Sequence, residues 1–171
     1  AMDATHYLIS MGHKKIAFIS GPESSLITKD REAGFHAAMH EAELPVEEEW
    51  LADGALSIDG AITATRALLG CQNPPTAIFC GNDDMAIGCL HAVKTSGFKV
   101  PEDISVMGFD DIAYTKVTDP PLTTIAQPAA EIGERVMLRL CKVIEHENST
   151  DSSQEIVPHQ IIIRQSVGRA P

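Results

Sequence analysis

The sequence feature that most constrains the fold is a short apolar run that ends abruptly on two carboxylates. Ile104 to Phe109 follows a turn signal at Val100-Pro101, and Asp110 and Asp111 come directly after it. Such a run is typical of a buried parallel strand that delivers acidic side chains to the carboxyl edge of a sheet. Ligands of open α/β sheets bind at that edge.

Further strand and helix patterns alternate along the chain. The sequence predicts other strands over residues 15–20, 50–54, 76–80, 122–127 and 156–165. It predicts a short helix that Asp3 caps and Gly12 ends, and longer helices over 28–43, 58–69, 82–96 and 132–144. A polar stretch over 145–155 is predicted to be a loop. This alternation predicts a doubly wound, mainly parallel α/β sheet with helices on both faces.

Length and composition indicate one globular lobe. The 171 residues are 44% hydrophobic, and no apolar stretch is long enough to cross a bilayer. The net charge of -11 argues against direct binding to a nucleic acid backbone. The four cysteines lack C-x-x-C spacing and are interpreted as core residues of a reducing compartment. With no export signal visible, we expect a cytoplasmic protein.

Polar side chains stand at the ends of three predicted strands. Ser20 ends the first predicted strand, Asn82-Asp83 follows the strand over 76–80, and Asp110-Asp111 follows Ile104 to Phe109. Arg31 lies early on the helix that follows the first strand. In a doubly wound sheet these ends converge at the switch point. Carboxylate, amide and guanidinium groups together suit a neutral polyol or sugar-like ligand. The alternative for each residue alone is helix capping or surface solvation.

The motifs of common enzyme classes are absent from the sequence. The acidic pairs 83–84 and 110–111 could hold magnesium in an enzyme, but there is no Asp-x-Asp strand and no phosphate-binding glycine loop. His36 and His40 have helical spacing, but Ala37 takes the place of the glutamate that a zinc protease needs. No G-x-S-x-G sequence is present. We therefore expect no catalysis, no metal and no cofactor.

Four segments, in order, resemble the LacI/GalR family of bacterial regulators. Gly12 to Pro22 is similar to the family's G-H-x-x-I-x-x-I-x-G-P, and Arg31 to Phe35 to its R-x-x-G-F/W. Pro75 to Gly88 is similar to P-T-A-x-x-x-x-N-D-x-M-A-x-G, and Pro121 to Pro128 completes the set. The resemblance covers nearly the whole chain and is nearest to the cytidine-repressor and purine-repressor branch.

The resemblance implies a place for this chain within a larger regulator. Family members have a helix-turn-helix headpiece and a two-lobed core that binds an effector between its lobes. Residues 1–171 then correspond to one effector-binding and dimerisation lobe, without the headpiece and most of the N-terminal lobe. The segment 123–144 is expected to cross toward that other lobe.

The resemblance also implies which residues bind the effector. The family's effector arginine falls on Arg31, its cleft asparagine on Asn82, its hydroxyl-binding aspartate on Asp110 and its crossover glutamine on Gln127. The first three agree with the strand-end argument. The implied ligand is a small sugar- or nucleoside-like molecule.

Two departures from the family pattern bear on that ligand. Ala55 stands where the family often has a ligand-stacking aromatic residue, and Ile27 where it often has serine or threonine. A stacked purine is therefore disfavoured, unless Phe79 or Phe109 takes over the stacking role.

The implied function is control of transcription by a homodimer. The apolar helices over 58–69 and 85–93 fit the dimer interface that the resemblance implies, and plain core packing is the alternative. Operator DNA would be bound only through the separate headpiece, and no membrane is involved. The alternative function is that of a periplasmic-type sugar-binding protein for transport or chemoreception.

Overall fold

The computed structural model describes residues 1–145 and 155–171. Within them the helices are α1 (Met2–Ser10), α2 (Leu26–Glu41), α3 (Ile58–Gly70), α4 (Asp83–Thr95) and α5 (Ala129–Ile144). The strands are β1 (Ile16–Ser20), β2 (Leu51–Asp53), β3 (Ala77–Cys80), β4 (Ser105–Met107), β5 (Thr124–Ala126) and β6 (Gln160–Ile162). Short 3-10 turns cover Glu48–Trp50 and Ala113–Lys116.

The main sheet is parallel and has the strand order β2-β1-β3-β4. The chain places β2 on one side of β1 and β3 on the other, so the order reverses between β1 and β3. A crevice opens at such a switch point beyond the carboxyl ends of the strands. The predicted doubly wound α/β fold is confirmed.

The last two strands differ from the prediction. β5 and β6 form a separate antiparallel pair, and isolated bridges from Met107 to Thr123 and from Asp110 to Ala126 link this pair to the main sheet. The final strand covers Gln160–Ile162 rather than the predicted 156–165. It is short because its partner β5 has only three residues, and because Pro158 has no N–H to donate to a ladder.

Helix ends follow local capping chemistry in most cases. Asn82 caps α4 as predicted, and Gly12, with a φ of 94°, lies just past α1. The cap of α2 is Ser25, which accepts from the amide of Thr28, so this helix begins earlier than predicted. The expectation that Asp3 caps α1 is wrong, since Asp3 lies within the first turn and the helix begins after Ala1.

The core lies on both faces of the main sheet. One cluster joins the sheet to α3 and α4, and the other joins it to α1 and α2. Met85, Cys89 and Val93 on α4 are fully buried within this chain. Core packing therefore accounts for most of the apolar surface of α4, which the sequence had left open between core and interface.

Helix α5 has a different environment. It begins at Ala129, three residues before the predicted start, and none of its residues is buried against the described part of the chain. Its exposed apolar side chains are Val136, Met137, Leu138, Leu140, Val143 and Ile144. Most of the loop predicted over 145–155 lies outside the described residues. Among the described residues, no helix is long and apolar enough to cross a membrane.

Candidate ligand-binding site

A cavity of about 330 Å³ opens at the carboxyl edge of the main sheet. Its polar lining consists of Ser25, Thr28, Arg31, Asn82, Asp110 and Gln127. Its apolar lining consists of Phe18, Ile27 and Leu56, with Gly21 and Gly81 between them. All four predicted site residues therefore line one cavity, at the switch point between β1 and β3. Their role in binding a ligand stays a prediction.

Three of the polar side chains form one hydrogen-bonded cluster. Arg31 Nη2 lies 3.1 Å from Asp110 Oδ1, and Gln127 Nε2 donates to the same oxygen at 2.6 Å. The Arg31 side chain is 15% exposed and that of Asp110 is 31% exposed, so the ion pair is partly withdrawn from water. Both bonds use Oδ1, so Oδ2 is the carboxylate oxygen of Asp110 that neither of them occupies.

The guanidinium of Arg31 is held in a fixed orientation. Nη1 donates to the backbone oxygen of Gly81, and the guanidinium carbon lies 3.9 Å from the centroid of the Phe109 ring. A guanidinium above an aromatic ring is stabilised by about 0.5–2 kcal/mol, depending on desolvation. The planar donor fork is thereby positioned at the cavity wall before any ligand arrives.

Asn82 both caps a helix and lines the cavity, two roles that the sequence analysis gave as alternatives. Its Oδ1 accepts from the backbone N–H of Met85 at 2.8 Å and so caps α4. The same side chain also lines the cavity. Because the cap uses only the oxygen, the amide N–H groups are the donors that a ligand can use.

Other residues named by the strand-end argument point elsewhere. Ser20 donates to the backbone oxygen of Ala52 at 3.4 Å and does not line the cavity. Asp111 pairs with Arg164 at 2.6 Å and does not line the cavity. Asp83 is fully buried. Strand ends thus predicted the edge correctly, but only some of their side chains face the cavity.

Several lining residues were missed by sequence reasoning. Ser25 caps α2, Thr28 lies in the first turn of that helix, and Leu56 follows β2. Ala55 and Leu56 both have positive φ values, 51° and 50°, and Asp53 Oδ1 accepts from the amide of Ala55 at 2.7 Å. The sequence signal that could have identified these residues is their position after β1 and β2. The loops after these two strands lie at the same edge of the sheet as the loops after β3 and β4.

The exposed apolar residues that line the cavity are aliphatic. Ile27 and Leu56 line it and are exposed. Phe79 is fully buried in the core, and Phe109 lies against Arg31, so neither lines the cavity. Phe18, the aromatic residue that does, is 1% exposed.

A buried carboxylate stands behind the cavity. The pKa of Asp83 is raised from 3.8 to about 6, chiefly by burial and to a smaller extent by the negative charges of Asp110 and Asp111. Hydrogen bonds from Thr124 and Ile112 oppose this rise in the pKa by stabilising the charged form. The group therefore titrates much closer to neutrality than an exposed aspartate.

Comparison with known proteins identifies the family. The model of the periplasmic binding protein-like domain matches residues 5–167, so the chain belongs to that family. Within it, the resemblance to LacI/GalR regulators is confirmed. The HTH-type transcriptional repressor CytR of Escherichia coli strain K12 is 40% identical over 171 residues, which is 100% of this chain and 50% of that repressor.

Solved structures agree with this assignment. The complex of the transcriptional regulator CelR with cellobiose has a TM-score of 0.91 at 30% identity, over 96% of this chain and 50% of that one. The lac repressor dimer bound to operator and the anti-inducer ONPF has a TM-score of 0.89 at 29% identity, over 98% of this chain and 58% of that one. The chain spans about half the length of the curated relatives it matches.

Proposed function

We propose that this chain is the effector-binding and dimerisation core of a bacterial LacI-type transcriptional repressor. A small sugar- or nucleoside-like ligand would control operator binding by a separate helix-turn-helix domain, in the cytoplasm. The observation that carries the proposal is the single cavity lined by Arg31, Asn82, Asp110 and Gln127. The repressor names of the relatives support this function over that of a periplasmic-type sugar-binding protein.

The chemistry of the cavity favours a neutral, hydroxylated ligand. Arg31 and Asp110 compensate each other's charge within the ion pair, so a charged ligand would leave one of them unbalanced in a partly dry site. The free carboxylate oxygen of Asp110 and the amide of Asn82 then match an accepting and a donating position on a sugar. Ile27 and Leu56 offer contact to the apolar face of a ring.

The exposed apolar face of α5 supports a second lobe that completes the cleft. A continuous set of exposed apolar side chains on one helix is unusual for a finished surface. The segment 123–144 would cross to that lobe, and the ligand would bind between the two. If the ligand prefers one arrangement of the lobes, it shifts the population of that arrangement and thereby operator affinity.

A homodimer would present two headpieces to an operator. Most of the 85–93 segment is buried within this lobe, so its apolar residues are not free for a partner. Exposed apolar side chains remain at Ile58 on α3 and at Tyr114 and Val117 near the 3-10 turn after β4. These are our candidates for the contact between subunits.

The test uses the full-length protein. Binding of ribose, galactose, cellobiose, cytidine and adenosine is measured by calorimetry, and the effect of each on operator binding by gel shift. Arg31→Ala and Asp110→Ala should each weaken binding by about 1–3 kcal/mol, roughly 5- to 150-fold, because a polar partner is left unpaired. The control Arg66→Ala removes an exposed arginine outside the cavity.

Unchanged affinity in both Arg31→Ala and Asp110→Ala would remove the site assignment. A full-length protein that binds no operator would remove the repressor assignment. An export signal in place of a helix-turn-helix in the gene would favour the periplasmic-type alternative.

A further inference from the structure

Asp83 is a buried carboxylate that bridges two segments of the candidate site without lining it. It lies in the first turn of α4 and is 0% exposed. Its Oδ1 accepts from Thr124 Oγ1 at 2.6 Å, and its Oδ2 accepts from the backbone N–H of Ile112 at 2.9 Å. Thr124 belongs to β5, and Ile112 ends the turn that carries Asp110.

That turn has an unfavourable backbone conformation. Asp110 has a φ of 116° and Asp111 a φ of 56°. Such residues persist only where the surrounding structure fixes them. Asp83 fixes the exit of the turn through the amide of Ile112, and it also packs against the entry, because a Cβ on Gly108 would collide with Asp83 Oδ1.

The second bond of Asp83 fixes the neighbouring strand. Thr124 begins β5, and Gln127 follows that strand directly. Gln127 is the residue that donates to Asp110 across the cavity edge. One buried carboxylate thus contacts both the turn that bears Asp110 and the strand that leads to Gln127.

We propose that Asp83 is a positioning residue of the ligand site, which sets the separation between Asp110 and Gln127. The role rests on the proposed ligand-binding function of the cavity. A simple interaction with the helix dipole does not account for Asp83, since the exposed Asp84 beside it supplies that charge in water. Burying a carboxylate costs free energy unless it is hydrogen-bonded. Asp83 is hydrogen-bonded to two separate segments of the chain.

A second anchor lets the turn survive the loss of Asp83. Arg164 Nη2 binds Asp111 at 2.6 Å, and Arg164 Nη1 donates to the backbone oxygen of Leu122 at 2.7 Å. The turn is therefore held from outside by Arg164 and from inside by Asp83. We expect variants of Asp83 to fold while the position of Asp110 becomes less defined.

Ligand binding by the full-length protein tests this role. The probe is whichever of ribose, galactose, cellobiose, cytidine and adenosine the wild type binds most tightly. Asp83→Ala should weaken binding about tenfold, whereas Asp83→Asn should stay within about twofold of wild type. Asparagine can accept from Ile112 with its oxygen and donate to Thr124 with its nitrogen. The matched control Asp84→Ala removes the neighbouring, exposed first-turn carboxylate and should leave binding unchanged.

The decisive arm is the same change in an Asp110→Ala background. If Asp83 acts through Asp110, adding Asp83→Ala to the Asp110→Ala variant should weaken ligand binding by less than about twofold. An equal loss in both backgrounds would mean that Asp83 only supports the fold, and no loss in the single variant would mean that it does not position the site. Either result overturns the proposal.

A ligand-free measurement keeps the role of Asp83 separate from the proposed function. Amide hydrogen exchange of residues 108–112 in the full-length protein should be at least tenfold faster in Asp83→Ala, with exchange in α1 as the internal reference. A wild type that binds no probe would argue against the proposed function alone. Unchanged exchange at 108–112 would overturn the role of Asp83.

Discussion

The closed region, which comprises α1–α4 and the main sheet, and the open region, which is helix α5, have opposite environments. Met85 on α4 is fully buried by its own chain, whereas Met137 on α5 is 58% exposed. Both helices have enough apolar residues to be core helices. The difference shows that apolar content alone does not predict whether a helix is buried by its own chain.

The largest expected effect contrasts two matched methionine truncations. In residues 1–171, Met85→Ala should lower the free energy of unfolding by about 2–5 kcal/mol, because it leaves a cavity in a packed core. Met137→Ala should change it by less than about 0.5 kcal/mol, because the side chain is exposed. Urea unfolding midpoints at constant m-value measure both.

The same pair in the full-length protein sharpens the contrast. If a second lobe covers α5, Met137→Ala should become clearly destabilising there while the effect of Met85→Ala stays similar. If the two substitutions lowered the free energy of unfolding of residues 1–171 equally, the division into closed and open regions would be contradicted.

Much of the closed region is predictable from the sequence because its signals are local. The apolar run from Ile104 to Phe109 ends on carboxylates. This local pattern is enough to predict a buried strand and to place the carboxylates at the carboxyl edge of the sheet. The antiparallel pairing of β5 with β6 is not predictable in this way, because partner choice depends on residues nearly forty positions apart. The sequence indicates a helix at 132–144, but its exposure depends on what covers it.

The candidate site was partly predictable for the same reason. Asn82, Asp83 and Asp84 are all residue types typical of a helix N-terminus, and only the family resemblance distinguishes Asn82 from the other two. In the structure Asn82 lines the cavity, Asp83 is buried behind it and Asp84 is exposed. Leu56 enters the site through a positive-φ turn that an alanine and a leucine do not signal.

The pH dependence of stability probes Asp83, which links the closed region to β5, the strand that precedes α5. Its pKa of about 6 in the folded protein lies above the ordinary value of 3.8, so between these values the folded state binds more protons than the unfolded state. The stability contributed by this group is therefore full below about pH 4 and is lost as the pH rises through 6. Asp83→Asn should gain stability relative to wild type over that interval and run parallel to it above about pH 7.

Comparing variant with wild type cancels the other titrating groups. Among these groups His13 matters most, because burial lowers its pKa in the folded protein. The stability that His13 contributes is therefore lost as the pH falls. That slope is opposite in sign to the slope from Asp83 and is shared by both proteins. Urea titrations from pH 4 to 8 give the difference, and a difference that does not vary with pH would show that Asp83 has an ordinary pKa in the folded state.

The smallest expected effect lies inside the closed region, at Thr65 on α3. Its Oγ1 is buried and has no hydrogen-bond partner among the residues that the structure describes. Thr65→Val keeps the shape and removes a hydroxyl that has lost its bonds to water, so it should be neutral or stabilise the protein by up to about 1 kcal/mol. Thr124→Val, also at a fully buried threonine, is the matched control and should destabilise, because it removes the bond to Asp83. If Thr65→Val were the more damaging of the two, its hydroxyl would have a partner, and the closed region would not be complete by itself.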